Sequence, residues 1–248
     1  MLRDFIGRVT GSEPDFPTAR IVNLGEHSVV FETTNSIEDY RANELGGERS
    51  LVEKYIELLE DGMIVWDVGA NIGVFSLFAA RANAQVHSFE PDPGFAKRLR
   101  RNIYLNGQDG SITIHEMALN DTNGQITLYT DGVDGMSPGL SEGDSEDREE
   151  VVVDQQRGDA LNLQSPDLLK IDVEGAEGGV IRGMTDILES IDMIVVELHQ
   201  TMLPRFGDEP KDVKKFIVSH GFSKLYEKKS KRTDTYCLPT TVNPYFLL

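Results

Sequence analysis

The stretch MIVWDVGANIGVFSLFAA (63–80) decides the fold. Its first part, MIVWDV, is an apolar run with one acid near its end, the pattern of a strand buried on both faces of a parallel sheet. From Val74 to Ala82 the pattern is helical. Between them lies a turn, Gly69-Ala70-Asn71-Ile72-Gly73. Glycines let a backbone turn sharply and approach a ligand without a Cβ clash. The helix that follows presents free N–H groups. The acid comes first, at the strand end, and the glycines are spaced differently from a GxGxxG dinucleotide turn. An anionic Asp67 suits a ligand with a cationic part better than a pyrophosphate.

Downstream, QVHSFE (85–90) reads as a second strand and Pro93 to Leu105 as a helix with proline near its start. SITIHEMAL (111–119) reads as a third strand, and Gln125–Tyr129 and Val151–Gln155 as two more. LLKIDV (168–173) and MIVVELH (193–199) are apolar strands, with a helix expected from Ala176 to Glu189 despite Gly178 and Gly179. A short helix, Asp212 to His220, is stopped by Gly221. FSKLYEKK and TDTYCLP close the chain as an antiparallel hairpin. Upstream, Leu51 to Leu59 has helical apolar spacing, and IVNLGEHSVVFETT (21–34) a hairpin around Gly25. Strand and helix alternate from residue 63 to about 199. That implies an α/β fold: a doubly wound, mostly parallel seven-stranded sheet with a C-terminal antiparallel hairpin. Residues 1–50 read as an N-terminal extension whose short hairpin packs on the core, and 51–248 as one globular domain. Ligands of such sheets bind at the C-terminal ends of the strands.

Charge narrows the partners. Among 248 residues, 42 acids against 24 Lys and Arg leave a net charge of −18. Such a surface repels phosphate backbones, so no nucleic-acid partner is expected. The basic run Lys228, Lys229, Lys231 and Arg232 has no interleaved aromatics and reads as a solvated hairpin tip. An acidic surface is also what a high-salt cytoplasm favours. Eight of the acids fall between Asp131 and Glu150, with four glycines and Pro138, the composition of a mobile loop. No apolar run reaches the roughly 18 residues of a membrane span. The N-terminus carries acids and no apolar core of a secretory signal, so the expected location is the cytoplasm. Leu2, Phe5, Ile6 and Val9 form a weakly amphipathic segment that would pack on the domain or on a second copy, making a homo-oligomer. One cysteine, Cys237, rules out a disulfide framework and a Cys-rich zinc site.

Glu90 ends the second strand 23 residues after Asp67. An acid at that offset is placed to accept both hydroxyls of a ribose. A cationic nucleoside with a free ribose fits both acids, and S-adenosylmethionine is such a ligand.

Three stretches, VWDVGANIGVFSLFAA (65–80), HSFEPDP (87–93) and LLKIDVEGAEGGVIRGM (168–184), resemble the FkbM family of S-adenosylmethionine-dependent methyltransferases, within the class I fold. ALND (118–121) and IVVELH (194–199) add to the resemblance. It implies that Gly69, Ala70, Asn71 and Gly73 line the methionine moiety, with Asp67 beneath them facing the amino-acid end. Glu90 would bind the ribose, Pro91 and Asp92 would flank the adenosine, and Ala118 and Leu119 would lie beside the adenine. Asp172 would lie close to the methyl group. Where family members more often show a Thr-Leu-Asp step before the KIDVEG block, this chain reads VVVDQQRGDALNL, with Asp159 as the stand-in acid.

Lys170, Asp172 and Glu174 alternate, so on a strand they share a face. They either pair with one another or line a solvent-filled site, because unpaired buried charges are costly. Glu197 and His199 are spaced by two and face one pocket. His199 is the candidate general base for a hydroxyl acceptor, since histidine titrates near neutral pH, with Asp172 as an alternative. Asp172, Glu174 and Glu197 also have the oxygen ligands of a divalent-metal site, but no metal is assigned. His27, His87, His115 and His220 are scattered and receive no role. Asn243-Pro244-Tyr245-Phe246 has part of an Asn-Pro-Pro-Tyr motif, in the wrong place and without the second proline. It reads as a tail packing an aromatic onto the sheet.

The expected activity is O-methylation of a hydroxyl on a small molecule, sugar or glycolipid, the oxygen preference coming from the resemblance alone. An acidic loop near the site would favour a neutral or cationic acceptor. The alternative is a cofactor-binding partner or scaffold without turnover. A nicotinamide oxidoreductase would need GxGxxG after the first strand, which is absent.

Overall fold

The computed structural model describes residues 17–130, 149–224, 226–229 and 233–239. The acidic run 131–148, the apolar N-terminal positions and the Asn243–Phe246 tail lie outside the described residues. A hairpin of β1 (Thr18–Leu24) and β2 (His27–Thr33) comes first, followed by α1 (Ser36–Asn43) and α2 (Arg49–Glu57). Next come β3 (Ile64–Val68), α3 (Val74–Arg81), β4 (Gln85–Phe89), α4 (Pro93–Asn106) and β5 (Ile112–His115). A second set contains β6 (Ala118–Leu119), β7 (Gly124–Thr130) and β8 (Glu149–Gln156). The chain then forms β9 (Leu168–Ile171), α5 (Glu177–Arg182), β10 (Met193–His199), α6 (Pro210–Ser219), β11 (Tyr226–Lys229) and β12 (Thr233–Pro239).

The seven-stranded sheet has the order β11-β12-β10-β9-β3-β4-β5. From β10 to β5 every pairing is parallel, while β12 is antiparallel to both β10 and β11. The strand order reverses between β3 and β9, which places the crevice of a doubly wound sheet at their C-terminal ends. Val65 packs into one apolar core with α2, α3 and the N-terminal hairpin. Trp66 and Val68 face the opposite core with α5 and α6. This two-sided burial is why β3 reads as an unbroken apolar run.

Three expectations are corrected. The strand expected over 111–119 breaks at Glu116-Met117: β5 stays in the main sheet, while Ala118–Leu119 pairs with β8 in a separate three-stranded sheet. The helix expected from Ala176 to Glu189 ends at Arg182, followed by a 3₁₀ turn at Leu188–Ser190. Its glycines serve packing, since a Cβ at Gly179 would lie 2.1 Å from Asn120 Oδ1 and one at Gly183 2.0 Å from the Asn120 carbonyl oxygen. The strand expected over 168–173 stops at Ile171, and Glu174 turns the chain with φ at 54°.

The extension is held by polar contacts. Asn106 brackets Val30, its Oδ1 accepting from the backbone N–H at 2.9 Å and its Nδ2 donating to the carbonyl at 2.7 Å. Asn102 Oδ1 accepts from Glu32 N at 3.0 Å, while its Nδ2 donates to the Ile72 carbonyl at 2.9 Å in the glycine turn. Helix α1, which has no apolar stripe to announce it, is capped by Asn35, whose side chain accepts from Ile37 N and Glu38 N. Its Glu38 is fully buried and pairs with Arg98 of α4 at 2.8 Å.

Candidate active site

Two adjoining cavities open at the crevice. The first, about 90 Å³, is walled by apolar side chains including Phe89, Met117, Leu119, Ile126 and Leu128, with Glu90, Asn71 and Asn120 among its polar members. The second, about 760 Å³, takes in Arg41, Lys170, Glu197, His199 and Thr235. Gly69, Asn71, Asp172 and Glu174 belong to both and mark their junction.

The glycine turn is shaped by its neighbours. Gly69 has φ at 80°, and a Cβ there would lie 1.9 Å from the Asp172 carbonyl oxygen. Gly73 has φ at 96° and would place a Cβ 2.5 Å from Leu99 Cδ1. Asn71 also has positive φ, 52°, which asparagine tolerates better than most residues. Behind the turn, fully buried Asp67 accepts from Ser76 Oγ at 2.5 Å and pairs with Lys170 Nζ at 3.0 Å. Lys170 also donates to the Gly69 carbonyl at 2.9 Å and lies 4.9 Å from the centre of the Phe75 ring. Burial alone would lower the Lys170 pKa, but Asp67 and Asp172 outweigh it and raise it, so the lysine stays charged. Asp67 therefore ties down the turn from behind and does not line either cavity.

Glu90 sits in the wall of the smaller cavity. Its Oε2 accepts from Asn71 N at 2.7 Å and its Oε1 from Asp92 N at 2.9 Å. Each oxygen keeps a lone pair for another donor. Burial pushes its pKa up to about 7 against the lowering effect of those two N–H bonds. Pro91, Ala118 and Leu119 line the same cavity. Asp92 does not: it caps α4, its Oδ1 accepting from Gly94 N at 2.8 Å and Phe95 N at 3.1 Å.

At the junction, His199 gathers carboxylates. Its Nδ1 donates to buried Glu177 at 2.6 Å, and its Nε2 lies 3.3 Å from Glu174 and 3.8 Å from Asp172. Burial would lower its pKa, but the Glu177 hydrogen bond and the charges of Asp172 and Glu174 hold it up at about 10. It is thus an imidazolium at neutral pH. Among the described residues no set of three or more His, Cys, Asp or Glu is arranged to hold a metal ion.

Glu177 and Arg41 were missed in the sequence. Glu177 lies in the quoted KIDVEGAE block, but its pairing with His199 joins α5 to β10, which no local spacing reports. Arg41 sits on α1, whose one sequence signal is a cap-like Asn35-x-x-Glu38.

The residues fit the cofactor that the resemblance implies. An apolar slot suits an adenine, Glu90 at its wall suits a ribose diol, and Asp172 at the junction suits a sulfonium. Ribose hydroxyls donate best to an ionised Glu90, so binding near pH 7 should release about half a proton. Calorimetry with S-adenosylhomocysteine, which carries no sulfonium charge, in buffers of different ionisation enthalpy should show that release in the wild type and none in Glu90→Gln. The same substitution should weaken binding by about 1.5–3 kcal/mol, the range for hydrogen bonds to a charged group.

Among known proteins, this chain is 28% identical over 239 residues to the hexuronic acid methyltransferase AglP of Haloferax volcanii, covering 94% of this chain and 92% of that one. It is 32% identical to Methyltransferase 1 of Beauveria bassiana, over 68% of this chain and 75% of the relative. It is 26% identical to the 31-O-demethyl-FK506 methyltransferase FkbM of Streptomyces tacrolimicus, over 87% of this chain and 89% of the relative. The methyltransferase FkbM domain model matches residues 67–224, from the acid before the glycine turn to the end of the α6 region. The chain accordingly belongs to the FkbM family of S-adenosylmethionine-dependent methyltransferases.

Proposed function

We propose that the chain methylates an oxygen of a sugar acceptor, and that the acceptor contains a hexuronic acid, as the name of the Haloferax volcanii relative suggests. The observation that carries this reading is the large cavity of about 760 Å³ that meets the cofactor pocket at Asp172 and whose lining includes the cations His199 and Arg205. S-adenosylmethionine supplies a methyl group already activated by the sulfonium charge. What remains for the protein is to align the acceptor oxygen, exclude water and manage one proton.

Gly69, Ala70, Asn71 and Gly73 give the backbone path along the methionine end, with Asp67 and Lys170 as positioning residues behind it. Glu90 takes the ribose, Pro91, Ala118 and Leu119 flank the base, and Asp172 faces the reacting end. Asp92 acts on the adenosine side only through the cap it makes for α4. Glu197 and His199 line the acceptor side. A hydroxyl acceptor must lose its proton, and an imidazolium cannot take it. His199 becomes a base as pH climbs toward 10, or once a sulfonium beside Asp172 offsets the carboxylates that hold its proton.

That same cationic His199 favours a second reading. A carboxylate oxygen of a hexuronic acid is already deprotonated and pairs with an imidazolium, so the product would be a methyl ester. A hexuronic acid is anionic, which runs against the neutral or cationic acceptor expected from the acidic loop.

Incubation with S-adenosylmethionine and a paired glucuronide and glucoside decides among these. A methyl ester is cleaved by mild alkali and a methyl ether is not. In the hydroxyl reading the product survives alkali, the rate rises with pH, and His199→Gln removes that rise. In the ester reading the glucoside is inert and the product is alkali-labile. Cofactor binding with no transfer to either sugar would sink both readings and support the scaffold alternative.

A further inference from the structure

We propose that Arg205 is a specificity-determining residue for the acceptor: at the mouth of the large cavity it binds an acceptor carboxylate other than the group that receives the methyl. The inference rests on the anionic-acceptor reading above and on neither choice of reacting oxygen. Arg205 lines the large cavity and not the smaller one, and it is exposed. It therefore stands at the opening, while Asp172 and Glu174 mark the inner junction where the two cavities meet.

An anionic acceptor needs such a group. Glu48, Asp172, Glu174 and Glu197 line the cavity, so the acceptor enters against their field. Each of the other three cations in the lining is engaged. Lys170 pairs with Asp67 and donates to the Gly69 carbonyl. His199 is shared among Asp172, Glu174 and Glu177, which offset its charge. Arg41 packs on Phe95, its guanidinium 5.1 Å from the ring centre, with Glu38 as the acid that most supports its charge. Arg205 has no ion pair and no side-chain hydrogen bond among the described residues. Binding a carboxylate there breaks no existing pair.

An exposed arginine is ordinarily a solvated side chain, and what sets this one apart is its platform. It sits on the 3₁₀ turn Leu203–Phe206, directly after β10. Met202 N donates to the His199 carbonyl at 3.2 Å, and Arg205 N to the Met202 carbonyl at 2.9 Å. Leu203 is fully buried beneath the turn. The turn presses on Gly175, where a Cβ would lie 2.8 Å from the Phe206 ring and 2.9 Å from Met202 Cβ. Just beyond, Asp208 accepts from Arg182 at 2.7 and 3.1 Å. The backbone that carries Arg205 is thus fixed against the residue after Glu174 and at the end of the strand that carries His199, which lowers the cost of ordering it around a ligand. Its planar guanidinium matches a carboxylate with two parallel hydrogen bonds. This placement separates the ends of the acceptor: the reacting oxygen reaches the junction while the anchoring carboxylate stays at the opening. For a reacting hydroxyl that anchor is the carboxylate of the same sugar, and for ester formation it is the carboxylate of a neighbouring one.

The test titrates the S-adenosylhomocysteine complexes of wild type, Arg205→Gln and Arg205→Lys with methyl glucuronide, methyl glucoside and a disaccharide of two glucuronic acids. Wild type should bind at least one of the two uronides about tenfold more tightly than the glucoside, the lower end for charge-assisted hydrogen bonds because the site is exposed. Arg205→Gln should lose that factor, with glucoside and S-adenosylhomocysteine bound as in wild type. Arg205→Lys should keep part of it, since the charge remains and the fork is lost. A loss on both uronides puts the anchored carboxylate on the sugar inside the cavity, and a loss on the disaccharide alone puts it on the neighbouring sugar. A wild-type preference that survives unchanged for both uronides in Arg205→Gln would overturn the proposal and leave the anionic-acceptor reading standing. So would equal losses for glucoside and uronides, which mark a structural role. Wild type that binds neither uronide more tightly than the glucoside would overturn the anionic-acceptor reading and this proposal together.

Discussion

Lys170→Met should lower folding stability by about 3–5 kcal/mol, because it leaves Asp67 charged and buried without its partner. Asp67 would keep only the Ser76 hydroxyl as a donor, and that hydroxyl is shared with Ser88 at 2.7 Å. In a chain of this size each kcal/mol moves the midpoint by roughly 2–4 °C, so a fall of about 6–20 °C is expected. The double substitution Asp67→Asn with Lys170→Met removes both charges and should recover most of the loss in urea unfolding. If the single and double variants are equally unstable, the pair is not what anchors the turn. Cofactor affinity should fall in the single variant as well, since Lys170 also holds the Gly69 carbonyl.

Gly69→Ala should damage cofactor binding through the backbone, with no side-chain contact to the ligand removed. A Cβ at this position would sit 1.9 Å from a backbone oxygen of Asp172, and the backbone conformation is left-handed. The strain of such a conformation is of order 1 kcal/mol or more for a residue with a Cβ. The overlap cannot be relieved by rotating a side chain, because its partner is main chain. Either the turn or the segment after β9 must move, and both carry residues of the cavity junction. S-adenosylhomocysteine affinity should drop at least about tenfold, 1.4 kcal/mol, with the calorimetric signal still visible if the protein is folded by circular dichroism. Unchanged affinity would mean that the approach of the two segments is not part of the binding geometry.

The parts of this molecule that could be read from sequence are those where local pattern and environment coincide. The strands β3, β9 and β10 are buried on both faces, so apolar runs announce them, and the glycine turn is marked by residues that its left-handed angles demand. Helix α1 gave no such signal, because its buried positions are Glu38 and Ala42, a charge in an ion pair and a small residue, not an apolar stripe. The break between β5 and β6 has no glycine or proline to mark it; only tertiary pairing with β8 moves Ala118 to another sheet. The site shows the same division. Asp172, Glu197 and His199 were legible as strand-end groups of one cavity. The proton carried by His199 was not, since it depends on Glu177 from another element. Lys170 was legible as paired or exposed, and the geometry around Asp67 makes it paired.

The walls of the large cavity come from distant parts of the chain, Ile37, Tyr40 and Arg41 on one side of the sequence and Thr235 on the other. A ribosome adding roughly 5–20 residues per second takes about 10–40 s to travel from Arg41 to Thr235. For most of that interval the glycine turn is already part of the nascent polypeptide while the large cavity lacks the wall that Thr235 supplies. The cavity is therefore complete only once β12 has been made, and its oldest and youngest walls meet last.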